Sequence, residues 1–198
     1  MAYVTPTIRS VGDAVTAADY NIIANDVIDH ETRINLGGMV FLSTQTVSAA
    51  LNCTFTSIFS ATYQNYMWTY HGVIAPSQAS GLDCQFGNSG VFSAVSYENQ
   101  QVQIRDTTVT ASRPVATSGI LATIGDTKSS AQGYFYGPFL ADRTNYQGNG
   151  FAADFQSITT CGGSHNVSTS FDSVKFTPDY IQNTRTLTGI FKIYGLTG

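Results

Sequence analysis

The spacing of apolar and polar positions changes once along the chain, near residue 37. Before that point Tyr20, Ile23, Val27 and Ile34, with His30 interrupting, recur at steps of 3, 4, 3 and 4. That is the spacing of one helical face, and it predicts a helix from about Ala17 to about Ile34. Thr16 is placed to cap its first amides, and Asp19 stands at the capping-box position. Gly37-Gly38 ends it. Ile22 and Ile28 lie off the seam, so the helix is apolar on more than one side. It either packs on its own sheet or keeps a face for a second protein. His30 reads as a polar residue at the helix edge. Asp19, Asp26, Asp29 and Glu31 read as a solvated face, or as one that meets a basic partner. Pro6 keeps the preceding arm extended.

After residue 37 the period falls to two. Met39–Thr46, Cys53–Phe59, Tyr63–Ile74, Leu82–Phe86, Val91–Tyr97, Val102–Arg105, Ile120–Ile124, Gly133–Leu140, Gly150–Ile158, Val167–Phe176 and Leu187–Tyr194 read as strands. Gly87-Asn-Ser-Gly90 reads as a turn. Asn99 to Ser130 is polar and is expected to be a long loop region or weak edge strands. Short strands at this spacing indicate a sandwich or barrel. The expected fold is all-β: a jelly-roll-like antiparallel β-sandwich over 37–198, preceded by an arm and a short α-helix over 1–36.

Composition agrees and excludes several functions. Of 198 residues, 25 are Thr, 19 Ser and 18 Gly, and 12% are aromatic, a mixture that favours pleated strands and turns. Charged residues are only 11%, the net charge is −4 and there are three lysines. Nucleic acid requires clustered Lys and Arg, so it is not an expected partner. No apolar run approaches the ~20 residues of a membrane helix, so no membrane insertion is expected. Met1-Ala-Tyr-Val-Thr-Pro lacks the basic and apolar regions of a secretory signal. The three cysteines, Cys53, Cys84 and Cys161, suit a reducing cytosol better than a disulfide framework.

The search for chemistry finds little, and no enzyme activity or cofactor is expected. His30, His71 and His165 form no metal-ligand pair. Cys161 and His165 stand four apart beside Gly162-Gly163 and read as loop residues. Asp142, Asp154 and Asp172 read as turn or surface residues, and Asn166-Val-Ser168 as a chance sequon. No nucleophile elbow, phosphate loop or dinucleotide fingerprint occurs. In Gly133-Tyr-Phe-Tyr-Gly-Pro138, alternation puts Tyr134 and Tyr136 on one face and Phe135 on the other. The two tyrosines are either ordinary strand residues or a platform for a sugar ring. Tyr146, in Thr144-Asn-Tyr-Gln-Gly148, is a third candidate glycan-facing aromatic, read as lying on a loop.

Gly12, Asp13, Thr16, Ala17, Ala18, Asp19, Tyr20 and Asn21 resemble the G-D-x-[VL]-T-A-A-D-[WY]-N opening of many tailed-phage virion proteins. The ending Leu187-Thr-Gly-Ile-Phe-Lys-Ile-Tyr-Gly-Leu196 is similar to a recurrent terminal strand of small jelly-roll tail, appendage and decoration proteins. Phe55–Phe59 with Tyr63–Tyr66, and Leu82–Gly90 with Tyr97, resemble their earlier strands. The resemblance implies a non-enzymatic structural protein of the virion, assembled in the host cytoplasm and homotrimeric. Tyr20, Ile23, Val27 and Ile34 would dock the helix to other virion proteins or to its own copies. The β domain would face outward for host-surface attachment, with host glycan as a candidate ligand. A capsid decoration protein is the alternative; a glycan-binding lectin or a glycan-cleaving virion enzyme is a more distant one.

Overall fold

The computed structural model describes residues 38–75, 80–113, 115–153, 156–178 and 184–197. The chain divides into two units, Met1–Gly38 and Met39–Gly198. The helix expected over 17–34, with Tyr20, Ile23, Val27 and Ile34, lies outside the described residues.

Every described element of the second unit is a strand. In chain order they are β1 (Met39–Ala50), β2 (Cys53–Phe55), β3 (Asn65–Ala75), β4 (Ser80–Asn88), β5 (Val91–Phe92), β6 (Tyr97–Arg105) and β7 (Thr108–Ser112). Then come β8 (Val115–Ala116), β9 (Gly119–Ile124), β10 (Ser129–Tyr136), β11 (Thr144–Ala152), β12 (Ser157–His165), β13 (Ser173–Pro178) and β14 (Thr186–Leu196). The larger sheet runs β1-β14-β3-β10-β11-β12-β6-β7, with β8 beside β6. The smaller runs β2-β13-β4-β5, with β9 beside β4. All pairings among the described strands are antiparallel.

The sheets are held face to face by aromatic side chains. Phe86 of β4 meets Phe135 of β10 edge-on at 5.2 Å, and Phe176 of β13 lies 4.8 Å from Phe191 of β14. Trp68 of β3, fully buried, stands 5.8 Å from Phe176. Such offset and edge-to-face pairs add to area burial by about 0.5–1.5 kcal/mol each. Small residues make room for these rings. A Cβ at Gly133 or Gly148 would come within 2.7 or 2.9 Å of Trp68 Cζ2. One at Gly148 would also strike the carbonyl of Leu121. Glycine thus lets the indole and strand β9 lie flat on the larger sheet.

Several strand expectations need correction. The expected Gly150–Ile158 strand is instead divided between two: Gly150–Ala152 end β11, and Ser157–Ile158 begin β12 and pair back on them. Of the expected Val167–Phe176 strand only Ser173–Phe176 is strand, as part of β13. The polar stretch from Asn99 to Ser130 holds most of β6, all of β7, β8 and β9, and the start of β10. Of these, β7 is an exposed edge strand, but β6 is interior and β9 carries buried Leu121, Ala122 and Ile124. Cys161 and His165 are not loop residues: both sit on β12 and both are buried. The turn after Asn88 forms as expected, with Ser89 (φ 49°) and Gly90 (φ 81°) giving the doubly left-handed pair of a type I′ hairpin.

Candidate functional site

Because one face of the larger sheet packs on the smaller, every second residue points outward. The registers align these outward residues into transverse rows. One row runs Thr46, Ile190, His71, Ser130, Phe151, Ile158, Ile104, Val109, from β1 to β7. At its β7 end four large apolar side chains stand next to one another. Phe151, Ile158, Ile104 and Val109 are 46, 52, 44 and 65% exposed. Neighbouring strands are only ~4.8 Å apart, so these side chains form one stripe. The next row begins Thr44, Lys192, Thr69, Gln132 and continues Asn149, Thr160, Val102, Ala111.

Two rows nearer the other strand ends have different chemistry. Tyr134, Gln147, Gly162 and Gln100 form one, and Tyr136, Asn145, Ser164 and Glu98 the other. Between them lies a groove of about 630 Å³, lined among others by Gln100, Asn145, Gln147 and Gly162 and bounded by Tyr136 and Arg113. The side-chain amides of Gln100, Asn145 and Gln147 make no hydrogen bond among the described residues. Gly162 forms an open patch of floor. A Cβ there would meet only the Tyr146 carbonyl oxygen, at 3.5 Å. The Tyr134 and Tyr136 rings stack side by side, 6.1 Å apart and inclined by 24°. Burial, and then the neighbouring Tyr134, raise the Tyr136 hydroxyl above its ordinary value, so it remains a donor at neutral pH.

The sequence placed Tyr134 and Tyr136 on one face and Phe135 on the other, and so they lie, with Phe135 fully buried. Tyr146 is a correction. It is only 2% exposed and belongs to β11, where alternation turns it inward. Its one hydroxyl proton is shared between two acceptors, the Asn99 side-chain oxygen at 2.6 Å and the Glu98 carbonyl at 2.9 Å. Asn99 in turn accepts from the Ile120 amide at 2.7 Å and donates to the Ser118 carbonyl at 3.0 Å. The Ser118 hydroxyl donates to Asp83 at 2.8 Å. This buried network ties β6, β9 and β11 together beneath the groove.

The other candidate groups are structural. His165 is buried against Tyr97 at 4.4 Å and Phe171 at 5.0 Å, and burial lowers its pKa. His71 lies on the outward row, apart from it. All three cysteines are free and buried. Burial pushes Cys53 up to about 12, and burial followed by the Asp83 charge does the same for Cys161. They are therefore neutral thiols rather than nucleophiles. Asp142 accepts from the Arg143 amide and Asp172 from the Ser89 amide. Asp154 lies outside the described residues. Among the described residues no cluster of three or more His, Cys, Asp or Glu side chains could hold a metal ion.

The amides and Gly162 escaped sequence reasoning because their strands alternate polar with small residues. In Thr144-Asn-Tyr-Gln-Gly-Asn-Gly-Phe-Ala152, the inward positions are Thr144, Tyr146, Gly148, Gly150 and Ala152. Alternation read outward from Tyr146 would have placed Asn145 and Gln147 together. No family model, curated protein or solved structure matches this chain.

Proposed function

We propose that the chain is a non-enzymatic structural protein of a tailed-phage particle. In this reading the β domain associates with its own copies, as a homotrimer, and turns a binding face toward the host surface. The segment 1–36 docks it to other virion proteins. The observation that carries the reading is the contiguous stripe formed by Phe151, Ile158, Ile104 and Val109 on the outward face. Contiguous exposed apolar side chains mark surfaces that become covered.

A second copy is the occupant the stripe suits. In a ring of three, the same stripe from each copy can converge on the threefold axis, and the stripe carries no charge to be repelled there. It also runs onto β7, an edge strand of five exposed, uncharged residues, Thr108-Val-Thr-Ala-Ser112, without the Lys or Pro that usually guards an edge. The resemblance of the opening segment and of the terminal strand supports the particle assignment. The chain passes repeatedly between the sheets, at β1–β2–β3–β4 and β12–β13–β14. These crossings support a jelly-roll-like ancestry, whereas the consecutive hairpins β10–β11–β12 are a departure from it. A tail appendage is favoured over a capsid decoration protein by the polar groove beside the stripe, since a shell clamp has no use for one.

Light scattering and sedimentation of the full chain test the association. The wild-type chain is expected to be a trimer at micromolar concentration, and Ile158→Lys a monomer that keeps the wild-type far-UV circular-dichroism spectrum. A monomeric wild type, or a trimer indifferent to Ile158→Lys, would defeat the self-contact. Labelled antibody on purified particles tests the location, with tail tip expected and head surface favouring the decoration alternative.

A further inference from the structure

We propose that the groove around Gly162 binds a neutral oligosaccharide, with Tyr136 as its apolar platform and the Tyr134 ring stacked behind it. The inference deepens the attachment reading above and rests on it for biological meaning, though not for its geometry. At about 630 Å³ the groove falls within the roughly 300–1,000 Å³ of small-ligand sites. From Tyr136 on β10 to Glu98 on β6 is three strand spacings, on the order of 14 Å. That length suits a short chain of sugar rings better than a single one.

The chemistry of the lining selects the ligand class. Gln100, Asn145 and Gln147 each offer an acceptor and two donors, uncommitted to any partner among the described residues. Such neutral groups match hydroxyls, which also both donate and accept. A polyanion would find Arg113 offset by Glu98 and no lysine in the lining. The Tyr136 ring, backed by Tyr134, supplies a flat apolar surface with a polar tip, which suits the C–H face of a pyranose. Gly162 leaves the middle of the floor without a side chain, so a ligand can reach the sheet itself. The lining is also pre-organised. It stands on paired strands whose undersides are fixed by the Tyr146–Asn99–Ser118–Asp83 network, which limits the ordering cost of binding.

The test is a printed array of neutral gluco-, galacto-, manno-, rhamno- and N-acetylglucosamine oligomers, with sialylated and sulfated oligomers alongside, probed with the full-length chain. Any neutral oligomer retained is then titrated by saturation-transfer NMR. Binding of a neutral oligomer is expected. Gly162→Val, whose side chain would project into the groove from a strand that tolerates it, should abolish binding without shifting the thermal midpoint. Tyr136→Ala and Gln147→Ala should each weaken binding by at least about fivefold, the loss of one good contact. Gln132→Ala, on the same face but outside the groove, should not. Binding only to charged oligomers, no binding to the neutral set, or binding that survives both Gly162→Val and Tyr136→Ala would overturn the assignment. The attachment reading fails separately: a chain that binds sugar in solution but is missing from purified particles keeps its groove and loses its place on the virion.

Discussion

Tyr146 shows how a buried side chain can hold a groove from beneath. Its hydroxyl serves Asn99 and the Glu98 carbonyl, and its ring lies against Gly119 and Gly163, where a Cβ would collide with it. Removing the hydroxyl leaves Asn99 short of a partner in a buried setting. Tyr146→Phe should therefore lower unfolding stability by about 1–3 kcal/mol, read as a shift in denaturant midpoint at constant m-value. A midpoint within error of wild type would mean that the network contributes nothing. His165 gives a second outcome. Burial lowers its pKa below the ordinary 6.5, so the unfolded chain takes up the proton first as pH falls. Its contribution is thus complete above pH 6.5 and is lost as the pH falls from there through the lowered folded value. The stability difference between pH 7.5 and pH 5 should shrink in His165→Phe. At this scale the sequence was legible where a large apolar side chain alternated with polar ones, as at Phe135. It was not at Tyr146, because the inward positions around it, Thr144, Gly148 and Gly150, are small rather than large and apolar.

Among the elements, β14 is the clearest case of a strand explained by its neighbours. The two glycines of the terminal motif, Gly189 and Gly195, both lie under tyrosine rings. A Cβ on Gly195 would strike the Tyr63 ring. One on Gly189 would fall on the His71 carbonyl and within 2.9 Å of Tyr70 Cε2. The Tyr70 hydroxyl closes this arrangement, its one proton shared between the carbonyls of Val73 and Thr188 at 2.9 and 3.1 Å. Gly189→Ala should accordingly cost at least about 1–3 kcal/mol, the range for an overpacked core. Gly38→Ala, whose Cβ would meet nothing within 4 Å, should stay within about 0.5 kcal/mol of wild type. Paired thermal melts of the two variants decide it. The strand itself could be read from Leu187, Phe191 and Ile193, whose alternation is strong. By contrast β11, β12 and β6 bury Thr144, Thr159, Cys161 and Asn99 instead of large hydrocarbons. Their ends could not be located from hydrophobic period alone.

For the molecule as a whole, the buried acids predict how it fails at high pH. Cys53 and Cys161, ordinarily near 9, hold their protons to about 12, and burial raises Cys84, Tyr97 and Tyr146 as well. The unfolded chain gives up the cysteine protons from about pH 9. Stability should be intact below that point and should decline steadily from pH 9 toward 12. Urea unfolding at pH 8, 9.5 and 11 measures the slope, and a flat profile would contradict the burial of these thiols. The order of strands has a further meaning for how the protein is made. Within the larger sheet β1 pairs only with β14, and β14 lies between β1 and β3. A nascent chain emerging from the ribosome thus exposes Met39–Ala50 early, yet that segment has no hydrogen-bonding companion in this sheet until Thr186–Leu196 has been translated. A premature stop between Tyr136 and Thr186 would release a polypeptide with β3 as an open sheet border and β1 with nothing to join in this sheet, prone to clump.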